Sequence, residues 1–517
     1  MTRPSNSNWQ RSGDKVIALE ALADVTENAR ACGQKIVHCH GVFDLLHVGH
    51  LRHLEAARRF GDLLVVTVTP DAFVNKGPGR PAFSAESRAE ALAALASVDF
   101  VAINRWPTAV ETIGMLRPHA YAKGSEYADK NADRTGGIID EEAALSGHGG
   151  RLVFTDEATY SSSHLLQHHT DMYSQEVRTF LGDFREEYPS AEVLAAVDAA
   201  ASRRVLVIGE TIIDEYQYCD AIGKSSKEPT LAVKPYSVER FGGGILAVAN
   251  HVAPFCEQVT ALTAIGSQDG SRAFVEGALA ASVQPRFIEL EHAPTITKRR
   301  FIDRYFFHKL FEVYEMDDSE LTGPDEAALL DALDEALPQH DVVIVVDYGH
   351  GLLTPRVVDK LTKQAPFLAV NAQSNAGNLG YNTVSKYPRA DYVTLAENEL
   401  RLDSRDRHGP LPPLARRVSE RCGARTVAVT RGAQGCLLFD RSAGFVEVPA
   451  LAGTIKDRMG AGDTFMAITA LTVAGEAPVA VSGFLGNAMA AGTVATVGHR
   501  GCIDKAPFVR HVECLLK

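Results

Sequence analysis

Two short stretches of the chain carry side chains whose types and spacing suit phosphate chemistry. The first reads Gly41-Val-Phe43-Asp44-Leu-Leu-His47-Val-Gly-His50. A strand ending at Gly41 and a helix starting near Gly49 put His47 just before the helix and His50 in its first turn. Both imidazoles can then face one pocket. Unpaired N–H groups and the dipole at a helix start favour an anion there. Two imidazoles beside them can donate to a triphosphate and stabilise charge growing on an attacked α-phosphate. Two other readings stay open. The histidines can simply cap a helix, or they can bind zinc, since His38, His40, His47, His50 and His53 crowd together. Zinc normally wants a more compact spacing and a Cys or carboxylate partner. The second stretch reads Asp457-Arg-Met-Gly460-Ala461-Gly462-Asp463-Thr-Phe. Small residues let backbone N–H groups converge into an anion nest at a helix N-terminus. An aspartate there can take a proton from an attacking hydroxyl while the N–H groups hold the transferring phosphoryl group. A glycine-rich turn with an Asp cap explains the same residues equally well.

The elements that must position these residues alternate between strand and helix. Apolar runs entering a Gly or Asp turn begin at Lys35 and again at Arg204, each suggesting the first strand of a separate parallel α/β unit. Leu63 to Thr69 is a continuous apolar run, as expected for a strand buried on both faces. Ser84 to Ser97 reads as a helix, and Phe100 to Ile103, His119 to Ala122 and Arg151 to Phe154 as short strands. In the second half, Asp341–Asp347, Phe367–Val370, Tyr392–Thr394 and Thr426–Thr430 are candidate central strands, and Phe465 to Ala474 a buried helix. The fold class is therefore α/β: an N-terminal extension over 1–34, a Rossmann-like unit over 35–170, a helical linker over 171–203 and a large doubly wound unit over 204–517.

Composition narrows the functional classes. The chain has 517 residues, 45% hydrophobic and 23% charged, an ordinary globular mixture with room for more than one core. Lys and Arg number 52 against 65 Asp and Glu, and the resulting net charge of -13 argues against a protein that wraps nucleic acid. No apolar run reaches the roughly 20 residues of a membrane span, and the first fifteen residues lack the apolar core of a signal peptide. Eight scattered cysteines without a CxxC pair suggest free thiols in a reducing compartment. The expectation is a cytoplasmic homo-oligomer with neither nucleic-acid nor membrane partners.

The histidine stretch resembles the signature of the HxGH nucleotidyltransferases, which have the cytidylyltransferase-like fold. The resemblance covers residues 35–170 and implies further roles. Gly41, Phe43 and Asp44 would line the nucleotide pocket. Lys76 and Arg80, in Asn75-Lys76-Gly-Pro-Gly-Arg80-Pro81, would neutralise the triphosphate. Arg88, Lys123 and the run Ser161-Ser162-Ser163 would complete it. The implied reaction is nucleotidyl transfer from an NTP, ATP or CTP, to a phosphorylated acceptor. Mg²⁺ assists, pyrophosphate leaves, and positioning with charge stabilisation suffices without a covalent intermediate.

Gly460-Ala461-Gly462-Asp463-Thr-Phe resembles the signature of the ribokinase-like (PfkB) sugar kinases, over about 205–517. That resemblance implies ATP-dependent sugar phosphorylation with Asp463 as base. Asp214 would hold sugar hydroxyls beside the glycine pair Gly243 and Gly244. Glu399 would be tied to Mg²⁺ and phosphate, Thr430 and Gly432 would flank the nucleotide, and Asn487 would border the adenine. No residue is named as a direct metal ligand. Pro294-Thr-Ile-Thr297-Lys298-Arg-Arg-Phe-Ile-Asp-Arg304 is similar to the bifunctional heptose enzymes of lipopolysaccharide precursor synthesis. Those enzymes phosphorylate D-glycero-β-D-manno-heptose 7-phosphate at O1 and adenylylate heptose 1-phosphate; here the two halves stand in reversed order. Asn250, Lys298 and Arg304 are accordingly expected at the sugar.

The chain departs from that pattern in four places. An expected Asn is Ala247, with Asn250 one turn later; Asp-Pro-Lys is Asn371-Ala372-Gln373; a second Asn is Ala396; and a Thr is Met459. Loss of the lysine positive charge at Gln373 predicts an acceptor related to heptose 7-phosphate but lacking its distal phosphate. The leading expectation is a bifunctional enzyme whose kinase product is converted to an NDP-sugar. The alternative is an active nucleotidyltransferase joined to a kinase-like half that only binds ligand or mediates assembly.

Overall fold

The computed structural model describes residues 15–74, 81–124, 137–155, 173–453, 455–498 and 500–516. They form two compact units, the first running to Tyr173 and the second from Ser174. Among the described residues no helix is long and apolar enough to cross a membrane.

The first unit is built on five parallel strands: β1 Ile36–Gly41, β2 Leu63–Val68, β3 Phe100–Ile103, β4 Ala120–Gly124 and β5 Arg151–Thr155. Their spatial order is β3-β2-β1-β4-β5. The chain thus switches sides between β1 and β4, which opens a crevice at the carboxyl ends of those strands. Alternate residues feed both faces. Val37, Cys39, Leu64 and Val66 pack with Leu54 and Leu92 on one side, and Ile36, Val65 and Ala102 pack with Leu19 and Leu22 on the other. Helix α1, Val48–Arg58, supplies Leu54, and helix α2, Ala85–Ala93, supplies Leu92. Ser84 caps α2 by accepting from the Ser87 N–H. The helix stops at Ala93, four residues short of the expected Ser97.

The stretch expected as a linker over 171–203 contains two helices, α3 Gln175–Glu187 and α4 Ser190–Asp198. Both are integral to the second unit. The Phe184 ring stacks on Phe484 with centroids 4.6 Å apart, and Val193, Leu194 and Val197 are buried.

The second unit has two sheets. In chain order the strands are β6 Arg204–Gly209, β7 Thr211–Lys224, β8 Leu231–Gly244, β9 Gln258–Gly266, β10 Val283–Leu290, β11 Ile296–Asp303, β12 Lys309–Glu315, β13 Val342–Asp347, β14 Leu368–Ala372, β15 Tyr392–Ala396, β16 Thr426–Thr430, β17 Cys436–Asp440 and β18 Gly444–Val448. The large sheet runs β10-β9-β6-β13-β14-β15-β16-β17-β18, parallel as far as β16 and antiparallel beyond it. Its order reverses between β6 and β13, again making a crevice at the carboxyl edge. The small sheet, β12-β11-β7-β8, was not anticipated. The apolar run from Arg204 ends as β6 at Gly209, and β7 begins at Thr211. The break falls at Glu210, a buried carboxylate that accepts from the N–H groups of Tyr348 and His350 beyond β13. That anchor ends β6 in the large sheet and sends β7 into the small one.

The stacked Phe184 provides a stability test. Phe184→Ala should destabilise the second unit by about 3–5 kcal/mol, the usual cost of deleting a buried aromatic. Trp9 and Trp106, the only tryptophans, both precede residue 174. The loss should therefore appear in urea unfolding followed by circular dichroism, while the tryptophan-detected transition stays in place.

Candidate functional site

In the first unit, β1 delivers the chain into a tight turn in which Phe43 and Leu45 take left-handed φ values of 50° and 57°. Such backbone is sparsely populated for bulky residues and persists where surroundings over-determine it. Asp44, wholly buried, supplies one restraint: its carboxylate accepts from the N–H of Ala82, at 3.0 Å to either oxygen, and of Phe83 at 3.3 Å. Arg88 supplies another. It is 2% exposed and donates to the carbonyls of Phe83 (2.9 Å), Thr69 (2.8 Å) and Val42, and to Asp71 at 2.6 Å. Expected to bind nucleotide, Arg88 instead clamps together the loops that carry the site.

His47 is the N-cap of α1, its Nδ1 accepting from Gly49 N–H at 3.1 Å. The His47 and His50 rings lie 4.0 Å apart, with Phe43 edge-on to His50 at 5.6 Å. The two imidazoles therefore stand together at a helix start, as the spacing implied. Lys123, at the end of β4, pairs with buried Glu141 at 3.0 Å. The other histidines are occupied: His38 and His40 share the Thr67 hydroxyl at 2.7 and 2.9 Å, and His53 bonds Thr155 at 2.8 Å. Among the described residues no group of three His, Cys, Asp or Glu could hold a metal, so the zinc reading loses its ligand set. Lys76, Arg80, Ser161, Ser162 and Ser163 lie outside the described residues.

In the second unit a cavity of about 300 Å³ opens at the carboxyl edge of the large sheet, facing the small one. Helix α5, Ala461–Ala474, begins there, its N-cap Gly460 at φ 76°, a value glycine adopts without strain. Gly460, Gly462 and Asp463 line the cavity, joined by Thr430 from β16 and by Glu399. Glu399 is held between two loops, accepting from Ser374 N–H at 3.0 Å and Ala396 N–H at 2.7 Å, and burial raises its pKa. Ala396 thus bonds Glu399 through its backbone, and the missing asparagine side chain leaves that anchor intact.

From the small sheet come Asp214 on β7 and Lys298 and Arg300 on β11. Arg300 and Asp214 form a buried ion pair, and Arg300 also reaches Glu312. Gly243 is required here: a Cβ on it would collide with the Asp214 carboxylate. Lys298 is 6% exposed, its ammonium 5.2 Å from the Tyr314 ring centre and 5.6 Å from that of Tyr348. Burial lowers its pKa, against the opposing pull of Asp214 and other carboxylates. Gly244 also lines the cavity.

Other expected residues lie elsewhere. Asn250 bonds the Ala278 carbonyl and the Ala280 N–H, holding a loop. Arg304 pairs with Asp220 at 2.5 Å and stacks on Tyr236. Asn487 donates to the carbonyls of Val448 and Pro449, both at 3.0 Å. Gly432 and Ala461 are absent from the cavity lining. The sequence reading missed Arg300, Tyr314, Tyr348, Asn375 and Arg458, all of which line it. Strand alternation was the available signal for Arg300, since 298 and 300 share a face. Tyr348 carried no signal beyond following a strand.

A largely parallel sheet with a glycine nest and an aspartate at its carboxyl edge is an arrangement suited to holding phosphate. Residues 202–506, more than half the chain, match the model of the pfkB family carbohydrate kinases, and the chain belongs to that family. Residues 38–164 match the cytidylyltransferase-like family. The Bifunctional protein HldE of Syntrophotalea carbinolica is 37% identical over 164 residues, 31% of this chain and 32% of that one. The Bifunctional protein HldE of Methylobacillus flagellatus is 41% identical over 145 residues, 28% of each chain. The chain therefore spans about a third of the length of these curated relatives. Phosphofructokinase-2 from Escherichia coli overlays 60% of this chain and 99% of its own at 16% identity, with a TM-score of 0.49.

The buried histidines give the first unit a pH signature. Burial, aided by Lys123, pulls His38 down to about 3 and His53 down to about 4. An unfolded histidine titrates near 6.5. Below that pH the unfolded chain binds protons that the folded unit refuses. Stability should be full above about pH 6.5 and fall towards pH 4, by up to about 1.4 kcal/mol per pH unit for each such histidine. Tryptophan-detected urea midpoints at pH 7.5, 6 and 5 check this; a flat series would contradict it.

Proposed function

We propose that this chain is a bifunctional enzyme of sugar-nucleotide synthesis. Its second unit phosphorylates a heptose-like sugar from ATP, and its first transfers a nucleotidyl group from ATP or CTP to a sugar phosphate. One observation carries the kinase reading: Asp463 and the glycine nest share a cavity with Asp214 and Lys298 from the facing sheet. Asp463 takes the proton of the acceptor hydroxyl as its oxygen bonds the γ-phosphorus and the bond to ADP breaks. Nest N–H groups hold the phosphoryl oxygens as their charge redistributes. Glu399 offers hard oxygen donors of the kind Mg²⁺ takes, and Gly462 leaves open space where a Cβ would stand. These residues fit a Mg²⁺–nucleotide, whose metal neutralises phosphate charge.

In the first unit, an acceptor phosphate oxygen attacks the α-phosphorus and pyrophosphate leaves. His47 and His50 meet the growing charge at the start of α1. The HldE names of the relatives support the pairing of the two activities.

The structure alters the argument about the acceptor. The Gln373 amide donates to Asp463 at 2.8 Å, so loss of a lysine there bears on the base rather than on a distal group of the sugar. Lys298 meanwhile puts a buried cation in the cavity. We therefore favour an anionic acceptor such as a sugar phosphate over one lacking the distal phosphate. The engaged Gln373 and Ala396 backbone also favour an active kinase half over one that only binds ligand.

Mass spectrometry of reactions containing a panel of sugars and sugar phosphates with ATP or CTP tests the assignment. Asp463→Asn should lower phosphorylation about 10²–10⁴-fold and spare nucleotidyl transfer. His47→Ala or His50→Ala should lower nucleotidyl transfer about 10²–10³-fold and spare phosphorylation. Equal loss of both activities in either variant would refute separate sites. No phosphorylation by the unmutated chain would leave a nucleotidyltransferase with a kinase-like binding half. For the acceptor, Lys298→Met should raise KM for a phosphorylated sugar about 10–100-fold, the worth of one charged hydrogen bond. A preference for unphosphorylated sugars, indifferent to Lys298→Met, would restore the acceptor without a distal phosphate.

A further inference from the structure

Two neutral donors converge on one oxygen of Asp463. The Tyr348 hydroxyl donates to Oδ1 at 3.0 Å, and the Gln373 side-chain amide donates to the same atom at 2.8 Å. Tyr348 is itself held from several directions. Its backbone N–H donates to Glu210 at 3.0 Å, and its carbonyl accepts from the side-chain amides of Asn375 and Asn378 at 2.7 and 2.6 Å. Its ring faces the Lys298 ammonium. Burial and the Asp463 charge push the Tyr348 hydroxyl well above the usual tyrosine range, so it remains a donor at every working pH.

We infer that Tyr348 and Gln373 are positioning residues for phosphoryl transfer, fixing the Asp463 carboxylate in one rotamer by two hydrogen bonds to the same oxygen. The inference rests on the kinase reading above. A carboxylate that accepts hydrogen bonds is stabilised in its charged form. Two donors on Oδ1 also orient the group, so that its remaining lone pairs lie in a fixed direction. Because both donors are uncharged, they leave the base more basic than a lysine neighbour would, which suits proton abstraction. The charged and titratable groups around Asp463 are Glu399 on its own side of the cavity, Lys298 and the Arg300–Asp214 pair from the small sheet, Arg458 before the nest, and Glu210 behind Tyr348. Glu210 is pushed up to about 7 by burial and the nearby Asp347. It is present in every variant below, so differences between their profiles report on Asp463.

The test is kcat against pH for phosphorylation by the full chain, using whichever acceptor the panel identifies. Tyr348→Phe and Gln373→Met each remove one donor. Each should lower kcat about 10-fold with KM little changed, and move the acid limb up by about one pH unit. Gln373→Lys keeps a donor and adds a charge, so its acid limb should move the opposite way, to lower pH. Acid limbs that coincide with the unmutated profile in all three variants would overturn the inference, even if kcat falls, because a merely structural role does not move them. Unmutated protein that phosphorylates no acceptor would instead overturn the kinase reading, and this inference with it. Circular dichroism of each variant separates misfolding from either outcome, and if Tyr348→Phe misfolds, the opposed shifts of the two Gln373 variants decide.

Discussion

A parallel strand delivers its chain to the carboxyl edge of a sheet, and the helix that follows starts there with backbone N–H groups unpaired. The histidine stretch sits at such a junction, and the glycine stretch, reached by a loop after the edge strand β18, starts its helix at the same edge of its sheet. His47 caps the helix after β1, and Gly460 caps the helix that carries Asp463. In each sheet the strand order reverses nearby, so a crevice lies above the junction. The protein's net charge of -13 does not oppose this use. On the proposed reading phosphate is met locally, by peptide dipoles and a few placed side chains, and exposed carboxylates beyond a Debye length are largely screened.

The small sheet imposes a second constraint. Its strands must bring Asp214, Lys298 and Arg300 over the cavity while keeping Glu215 and Arg299 on the opposite face. Register does this: Lys298 stands beside Asp214 and Arg299 beside Glu215 across parallel β7 and β11. A slip of β11 by one residue would turn Arg299 towards the cavity and carry Lys298 and Arg300 to the opposite face. The Arg300–Asp214 pair, shut against Gly243, is costly to desolvate, and its worth is better sought in fixing that register than in stability.

Legibility in the sequence followed locality. Central strands such as Val342–Asp347 and Thr426–Thr430 were plain, because burial on both faces makes them continuously apolar. The histidine pair was plain because three residues on one helix turn fix its geometry. The small sheet was not, since its long strands carry mixed, partly exposed residues and its two hairpins are joined by the pairing of β7 with β11, which lie far apart in the chain. Residue type also misled. Arg88, expected in the nucleotide pocket, is folded inward as a clamp, and Asn250, expected at the sugar, bonds a loop. A cation or amide is equally suited to a carbonyl, and only tertiary placement decides which partner it meets.

Gln373 shows the same limit from the other side. As a replacement for a lysine it suggests lost charge, and lost charge suggests a different substrate. In the folded chain that side chain addresses Asp463, not the acceptor, and it arrives with Tyr348 on the same oxygen. What changes is the electrostatic setting of the base. A lysine would hold the carboxylate ionised by charge and weaken it as a proton acceptor. Two neutral donors hold it through hydrogen bonds to one oxygen, at a smaller cost in basicity. Lys298 and Arg458 line the same cavity, so on the proposed kinase reading proton abstraction and the holding of anionic groups fall to different side chains.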